Sequence, residues 1–89
     1  MITHKIRIIN KLGLHARAAA KFVSCASAFS SDIKASKDSE LVDAKSIMSV
    51  MMLAAGKGSE LQLQISGNDE QDALSALIEL IENRFDEVE

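Results

Sequence analysis

The chain's reactive side chains are few: two histidines and one cysteine among 89 residues, and one of the histidines stands in an unusual place. The stretch Asn10-Lys11-Leu12-Gly13-Leu14-His15-Ala16-Arg17-Ala18-Ala19-Ala20 follows an apolar run, Ile6-Arg7-Ile8-Ile9, and opens an Ala-rich amphipathic segment. That order reads as a strand, a tight turn and a helix start. Helices normally open on Ser, Thr, Asp or Asn, whose side chain accepts a hydrogen bond from a first-turn N–H. Here the residue is His15, a poor substitute, so the first-turn N–H groups are expected to stay open. Open N–H groups at the positive end of a helix dipole attract an anion. Arg17 adds a planar donor fork matched to phosphate. A nucleophilic ring beside an anion site points to transient acceptance of a phosphoryl group on His15. A lone histidine in a turn is usually just a solvated residue. Against that bland reading stand Gly13 before it, Arg17 after it, and the lack of any acidic residue from Met1 to Ser31.

The ring must be neutral to attack, and a helix N-terminus and Arg17 both disfavour the imidazolium. His4 and His15 are weak evidence for a metal site, because neither a thiolate nor a placed carboxylate accompanies them. No metal and no cofactor is expected.

Alternation and helical spacing suggest the elements that position these residues. Ile2, Ile6 and Ile8, with His4 in the same parity, predict a half-buried strand over 2–9. Ala19, Phe22, Val23 and Ala26 recur at helical spacing and predict a helix over 16–28, ended by Ser30-Ser31. Ile33 and Ala35 alternate with Lys34 and Ser36 in a second strand. Lys37-Asp38-Ser39-Glu40 is a polar hairpin turn, and Leu41-Val42 begins a short third strand. Ser46 sits where a cap belongs, before a helix of Ile47-Met48-Ser49-Val50-Met51-Met52-Leu53. Gly56-Lys57-Gly58 is expected to supply the left-handed conformations that end it.

Leu61, Leu63 and Ile65 alternate with Gln62 and Gln64 in a fourth strand. After a Gly67-Asn68 turn, Asn68 and Gln71 suggest a capping box. Leu74, Leu77, Ile78, Ile81 and Phe85 then trace one face of a long C-terminal helix. Asp69, Glu70 and Asp72 complement its dipole. Asp86-Glu87-Val88-Glu89 reads as a frayed acidic tail. The order βαββαβα in residues 1–89 suggests a single α+β domain, a two-layer sandwich.

Apolar residues make up 47% of the chain and aromatics only 3%, so the core must be aliphatic. The absence of Trp and Tyr argues against stacking platforms for single-stranded nucleic acid, and a net charge of −3 argues against nucleic acid more broadly. Cys25 has no second cysteine to pair with and reads as a small, at least half-buried residue. With neither a signal peptide nor a long apolar span, the chain reads as cytoplasmic, without membrane insertion. Charge is uneven. Five basic and no acidic residues precede Asp32, whereas Asn68 to Glu89 holds eight acidic residues and one basic. A partner meeting the His15 region therefore meets positive potential. The helix after Ser46 is apolar on more than one face. Ile47, Met48, Met51 and Met52 either fill a core short of aromatics or present flexible thioethers to partners, and the residue pattern alone does not separate the two.

Gly13-Leu14-His15-Ala16-Arg17-Ala18-Ala19 resembles the active-site signature of the HPr-type phosphocarriers of the bacterial phosphotransferase system. Lys45-Ser46-Ile47-Met48-Ser49-Val50-Met51-Met52-Leu53-Ala54 resembles the regulatory-serine signature of the same family. One departure is Ala18, where the family commonly has proline. Alanine fits a first helical turn and restores one N–H, so any effect falls on the rigidity of the turn.

The resemblance implies an open-faced sandwich, a four-stranded antiparallel sheet with three helices on one face. It implies that His15 accepts phosphoryl at Nδ1 from an Enzyme I-type protein and passes it to a IIA-type acceptor. Arg17 would balance the phosphate charge, and the Ala16 and Arg17 backbone N–H groups would hold its oxygens. Ser46 becomes a regulatory phosphorylation site for a kinase of the HPr kinase/phosphorylase type, beside its role as a cap. Ile47, Met48, Met51 and Met52 become partner-binding residues. Asn10-Lys11-Leu12-Gly13, the Met-rich helix and the Phe85-Asp86-Glu87 ending resemble the nitrogen-related branch, NPr, more than sugar-transport HPr. The alternatives are the sugar-transport role itself, or a module that binds proteins through the Met-rich helix without accepting phosphate.

Overall fold

A computed structural model of the chain describes residues 1–88. Alternating burial builds its sheet. Strand β1 (Ile2–Arg7) turns Ile2, His4 and Ile6 inward and Thr3, Lys5 and Arg7 outward. Strands β2 (Asp32–Lys37) and β4 (Glu60–Ser66) bury Ile33, Ala35, Leu61, Leu63 and Ile65, while β3 (Glu40–Asp43) is a short, mostly exposed edge. The strands run antiparallel in the order β1-β4-β2-β3, with Ile6 opposite Leu61 and Ala35 opposite Leu63. Asp38 and Ser39, both at positive φ, close the β2–β3 hairpin. Two consecutive left-handed residues suit the right-handed twist of the strands they join.

Three helices cover the apolar face: α1 (Ala16–Ser27), α2 (Ile47–Met52) and α3 (Glu70–Glu82). From α1, Ala18, Ala19, Phe22 and Ala26 meet Leu61, Leu63 and Ile65 of the sheet and Ala73, Leu77 and Ile81 of α3 in one core. Small alanines on the buried stripe let α1 sit close to its neighbours, and Phe22 and Phe85 are the largest fully buried side chains. Cys25 is half-buried and unpaired, and burial pushes its thiol up from the ordinary value. Among the described residues, no helix is long and apolar enough to cross a membrane.

Four local expectations are corrected. The first strand ends at Arg7 rather than residue 9. The second helix is not ended by glycine: Ala54, at φ 52°, takes the left-handed position, Gly56 does not, and Gly58 (φ 90°) belongs to the turn into β4. The Asn68–Gln71 capping box does not form. Asp69 is the N-cap residue of α3, and the Glu70 carboxylate accepts from the Gly67 N–H at 3.1 Å. The Asp69 carboxylate is drawn away to the loop after α1, where it accepts from the N–H groups of Ser30 and Ser31, both at 2.9 Å, and from their hydroxyls. These bonds, led by that of the Ser31 hydroxyl, hold the Asp69 carboxyl at about 2, well below the usual carboxylate range. Gly67 permits the approach, since a Cβ there would lie 2.7 Å from Ser31 Cα.

The fourth correction concerns the C-terminus. Helix α3 stops at Glu82, and Arg84–Asp86 forms a separate turn in which all three residues are left-handed. Phe85 is fully buried from that turn, not from the helix face. Lys21 Nζ donates to the Phe85 carbonyl at 2.9 Å, and Glu87 is folded back onto the body. The tail is therefore docked as far as Glu87, and Glu89 lies outside the described residues.

Candidate functional site

The turn that delivers His15 is fixed at both its ends. Gly13, at φ 65°, packs its Cα against the backbone of the loop after α2, where a Cβ would come 2.5 Å from the Ala55 carbonyl oxygen. The next N–H, of Leu14, donates to that same carbonyl at 2.8 Å. Only glycine meets both demands, a left-handed backbone and no side chain. Asn10, fully buried, donates through Nδ2 to the Gly13 carbonyl at 2.8 Å and closes the turn from the other side. Its Oδ1 is buried without a partner among the described residues.

His15 is then the N-cap residue of α1, in extended conformation, with no side-chain hydrogen bond to the helix end. Its carbonyl accepts from the Ala19 N–H at 2.8 Å, so the helix is properly begun while its mouth is left without a side-chain cap. No acidic residue occupies the first turn. The part-exposed ring shares one shallow surface concavity with Lys11, Leu12, Arg17, Lys21 and Glu87. Arg17 is exposed beside it. Lys11, Arg17 and Lys21 outnumber the acidic Asp86 and Glu87 around the ring, and Lys21 is paired with Asp86. A nucleophilic ring at an uncapped helix mouth beside an exposed arginine is an arrangement suited to an anionic group.

Sequence reasoning missed one member. Glu87 reaches back from the C-terminal segment, and its Oε2 meets His15 Nε2 in a hydrogen bond. Its other oxygen, Oε1, accepts from Asn10 Nδ2 at 2.9 Å. The Asn10 bond leads in holding the Glu87 carboxyl below its ordinary value, with His15 and Arg17 adding to it and burial opposing. Nothing in the acidic run after Asn68 singles out Glu87. The one available signal was Phe85, an aromatic within an acidic ending, which marks a tail that packs back.

Ser46 caps α2: its hydroxyl accepts from the Ser49 N–H at 3.4 Å. Only Val50 of this helix is fully buried, and Ile47, Met48, Met51 and Met52 are all exposed, Met48 at 68% and Met52 at 71%. Of the two readings of these side chains, the core-filling one is thereby excluded. With exposed Leu12 in the His15 turn, they leave unusually large apolar side chains on the surface of so small a chain. His4 lies in β1, opposite Leu63, and plays no part in the His15 site. Among the described residues, no group of three or more His, Cys, Asp or Glu could hold a metal ion.

The sequence profile of the family described as "PTS HPr component phosphorylation site" matches residues 2–83. The chain is 59% identical to phosphocarrier protein HPr of Pseudomonas aeruginosa over 86 residues, 96% of each chain. It is 56% identical to phosphocarrier protein HPr of Cupriavidus necator over 89 residues, the whole of both. The crystal structure of HPr-C-His from Thermoanaerobacter tengcongensis superposes with a TM-score of 0.95 at 49% identity, covering 98% of each chain.

Proposed function

The chain belongs to the HPr family and is a phosphocarrier of the phosphotransferase system rather than an enzyme, and we propose that His15 is the residue that carries the phosphoryl group. One observation carries this assignment: a nucleophilic ring stands at a helix mouth that has no side-chain cap, with Arg17 beside it. Phosphoryl transfer asks little covalent work of a protein beyond in-line positioning and charge balance. The Ala16 and Arg17 N–H groups hold the oxygens, and the Arg17 guanidinium balances their charge. The donor is an Enzyme I-type phosphohistidine protein and the acceptor a IIA-type protein, both meeting a surface that couples basic side chains to the exposed Ile47, Met48, Met51 and Met52. The place of action is the cytoplasm.

Ser46 is a regulatory phosphorylation site in this reading. A phosphate at a helix N-terminus is electrostatically tolerated, yet it puts negative charge beside the docking face and weakens binding to acidic partners. Asn10-Lys11-Leu12-Gly13, the Met-rich α2 and the Phe85-Asp86-Glu87 ending favour the nitrogen-related branch over sugar transport.

The test is incubation with phosphoenolpyruvate and either a nitrogen-type or a sugar-type Enzyme I, following phosphoryl uptake by mass. Faster uptake from the nitrogen-type donor is expected. Faster uptake from the sugar-type donor would reverse the branch. No uptake from either, by folded protein, would favour an interaction module built on α2.

A further inference from the structure

We infer that Glu87, oriented by Asn10, is a positioning residue that fixes the tautomer of His15 and thereby leaves Nδ1 as its nucleophilic nitrogen. This rests on His15 being the phosphoryl carrier. A neutral imidazole has one proton and one lone pair, on different nitrogens. A carboxylate can only accept, so its contact with Nε2 puts the proton there and the lone pair on Nδ1. The carboxylate is not placed by chance. Its second oxygen is taken by Asn10 Nδ2, whose other bond, to the Gly13 carbonyl, ties it to the turn that delivers His15. The left-handed turn Arg84–Asp86, anchored by buried Phe85 and by Lys21, brings Glu87 to this point.

The transfer step then balances without moving a proton. Nδ1 forms the new N–P bond as the donor's N–P bond breaks, and the donor nitrogen leaves with the bonding pair. The Nε2 proton stays where it is, and the positive charge growing on the His15 ring is met by Glu87, as a buried carboxylate supports a catalytic imidazole elsewhere.

Two substitutions in the full chain separate orientation from mere packing. In Glu87→Ala the neutral ring has no fixed partner, so a mixture of tautomers is expected by imidazole 15N NMR, with phosphoryl uptake about fivefold slower, the scale of one part-exposed ion pair. Glu87→Gln is expected to be worse. Asn10 Nδ2, held by Gly13, still demands the oxygen of the new amide. The amide NH2 therefore faces Nε2 and drives the proton to Nδ1, which lowers uptake below that of Glu87→Ala. Unchanged melting temperatures would show that neither variant acts through folding.

A wild-type tautomer and wild-type uptake in both variants would overturn the role of Glu87 while leaving His15 as the carrier. Absence of uptake by the unsubstituted protein, or uptake that survives His15→Ala, would overturn the carrier assignment and this inference with it. The tautomer signal needs no donor protein, so the two failures are distinguishable.

Discussion

Helix α1 is gripped near both ends by a carboxylate from the second half of the chain, and the two grips differ in kind. Just past its C-terminal end, Asp69 accepts from two backbone N–H groups and two hydroxyls of Ser30 and Ser31. At its N-terminal end, Glu87 accepts from the Asn10 amide and from the His15 ring. None of the partners of Asp69 titrates, so that grip is constant until Asp69 itself is protonated. One partner of Glu87 is a ring whose charge changes each time it takes and gives a phosphoryl group in the proposed function. The first contact is a fastening of the fold, and the second belongs to the proposed chemistry. A depressed carboxyl alone does not tell them apart, since both are depressed. The nature of the donor does.

The strongest way to break the contrast is to cut the N-terminal grip through its anchor. Phe85 is fully buried, so Phe85→Ala should cost about 3 kcal/mol or more in chemical denaturation. It should also free Glu87 from His15. If stability falls while the Nε2 contact persists by NMR, the tail is held by something other than Phe85.

Arg17→Ala addresses the same end from the side of function. Arg17 is exposed, so melting should be almost unchanged. Phosphoryl transfer should slow about tenfold or more, because a charged donor at the phosphate is lost. A large fall in melting temperature with normal transfer would make Arg17 structural.

The C-terminal grip predicts an acid signature. The Asp69 carboxyl lies lower in the folded chain, at about 2, than its ordinary 3.8. Its contribution is therefore complete above the ordinary value and is lost as pH falls from there toward 2. Asp69→Ala should lower stability at neutral pH and flatten the acid limb of a stability–pH curve, without slowing phosphoryl transfer. An unchanged acid limb would mean the clasp adds nothing.

The smallest effect concerns the other capped helix. Ser46→Ala should cost about 1 kcal/mol, the usual worth of a cap, and leave His15 reactive. Its comparison with His15→Ala, which removes no cap bond, would show that one helix mouth is closed for stability and the other kept open for an anion.

Much of this was legible in the sequence, for physical reasons. Alternation at Leu61, Leu63 and Ile65 and helical spacing at Phe22 and Ala26 report burial directly, so the element order was readable. Strand order was not, because the residue pattern does not say that β4 lies between β1 and β2. His15 and Arg17 were visible because their signal is local, a missing cap and a nearby cation. Asn10 and Glu87 stand 77 residues apart, and their meeting depends on a left-handed turn of three non-glycine residues. Short-range propensity disfavours that turn, and the burial of Phe85 overrides it. Asn68 failed as a cap for a similar reason. Asp69 follows it, and its carboxylate finds better partners across the fold than along the helix.

The most direct test of the central claim is the intact mass of the protein and of His15→Ala after incubation with phosphoenolpyruvate and Enzyme I. The account predicts one added, acid-labile phosphoryl group in the first and none in the second. Equal uptake by folded His15→Ala, or none by the folded unsubstituted protein, would contradict it.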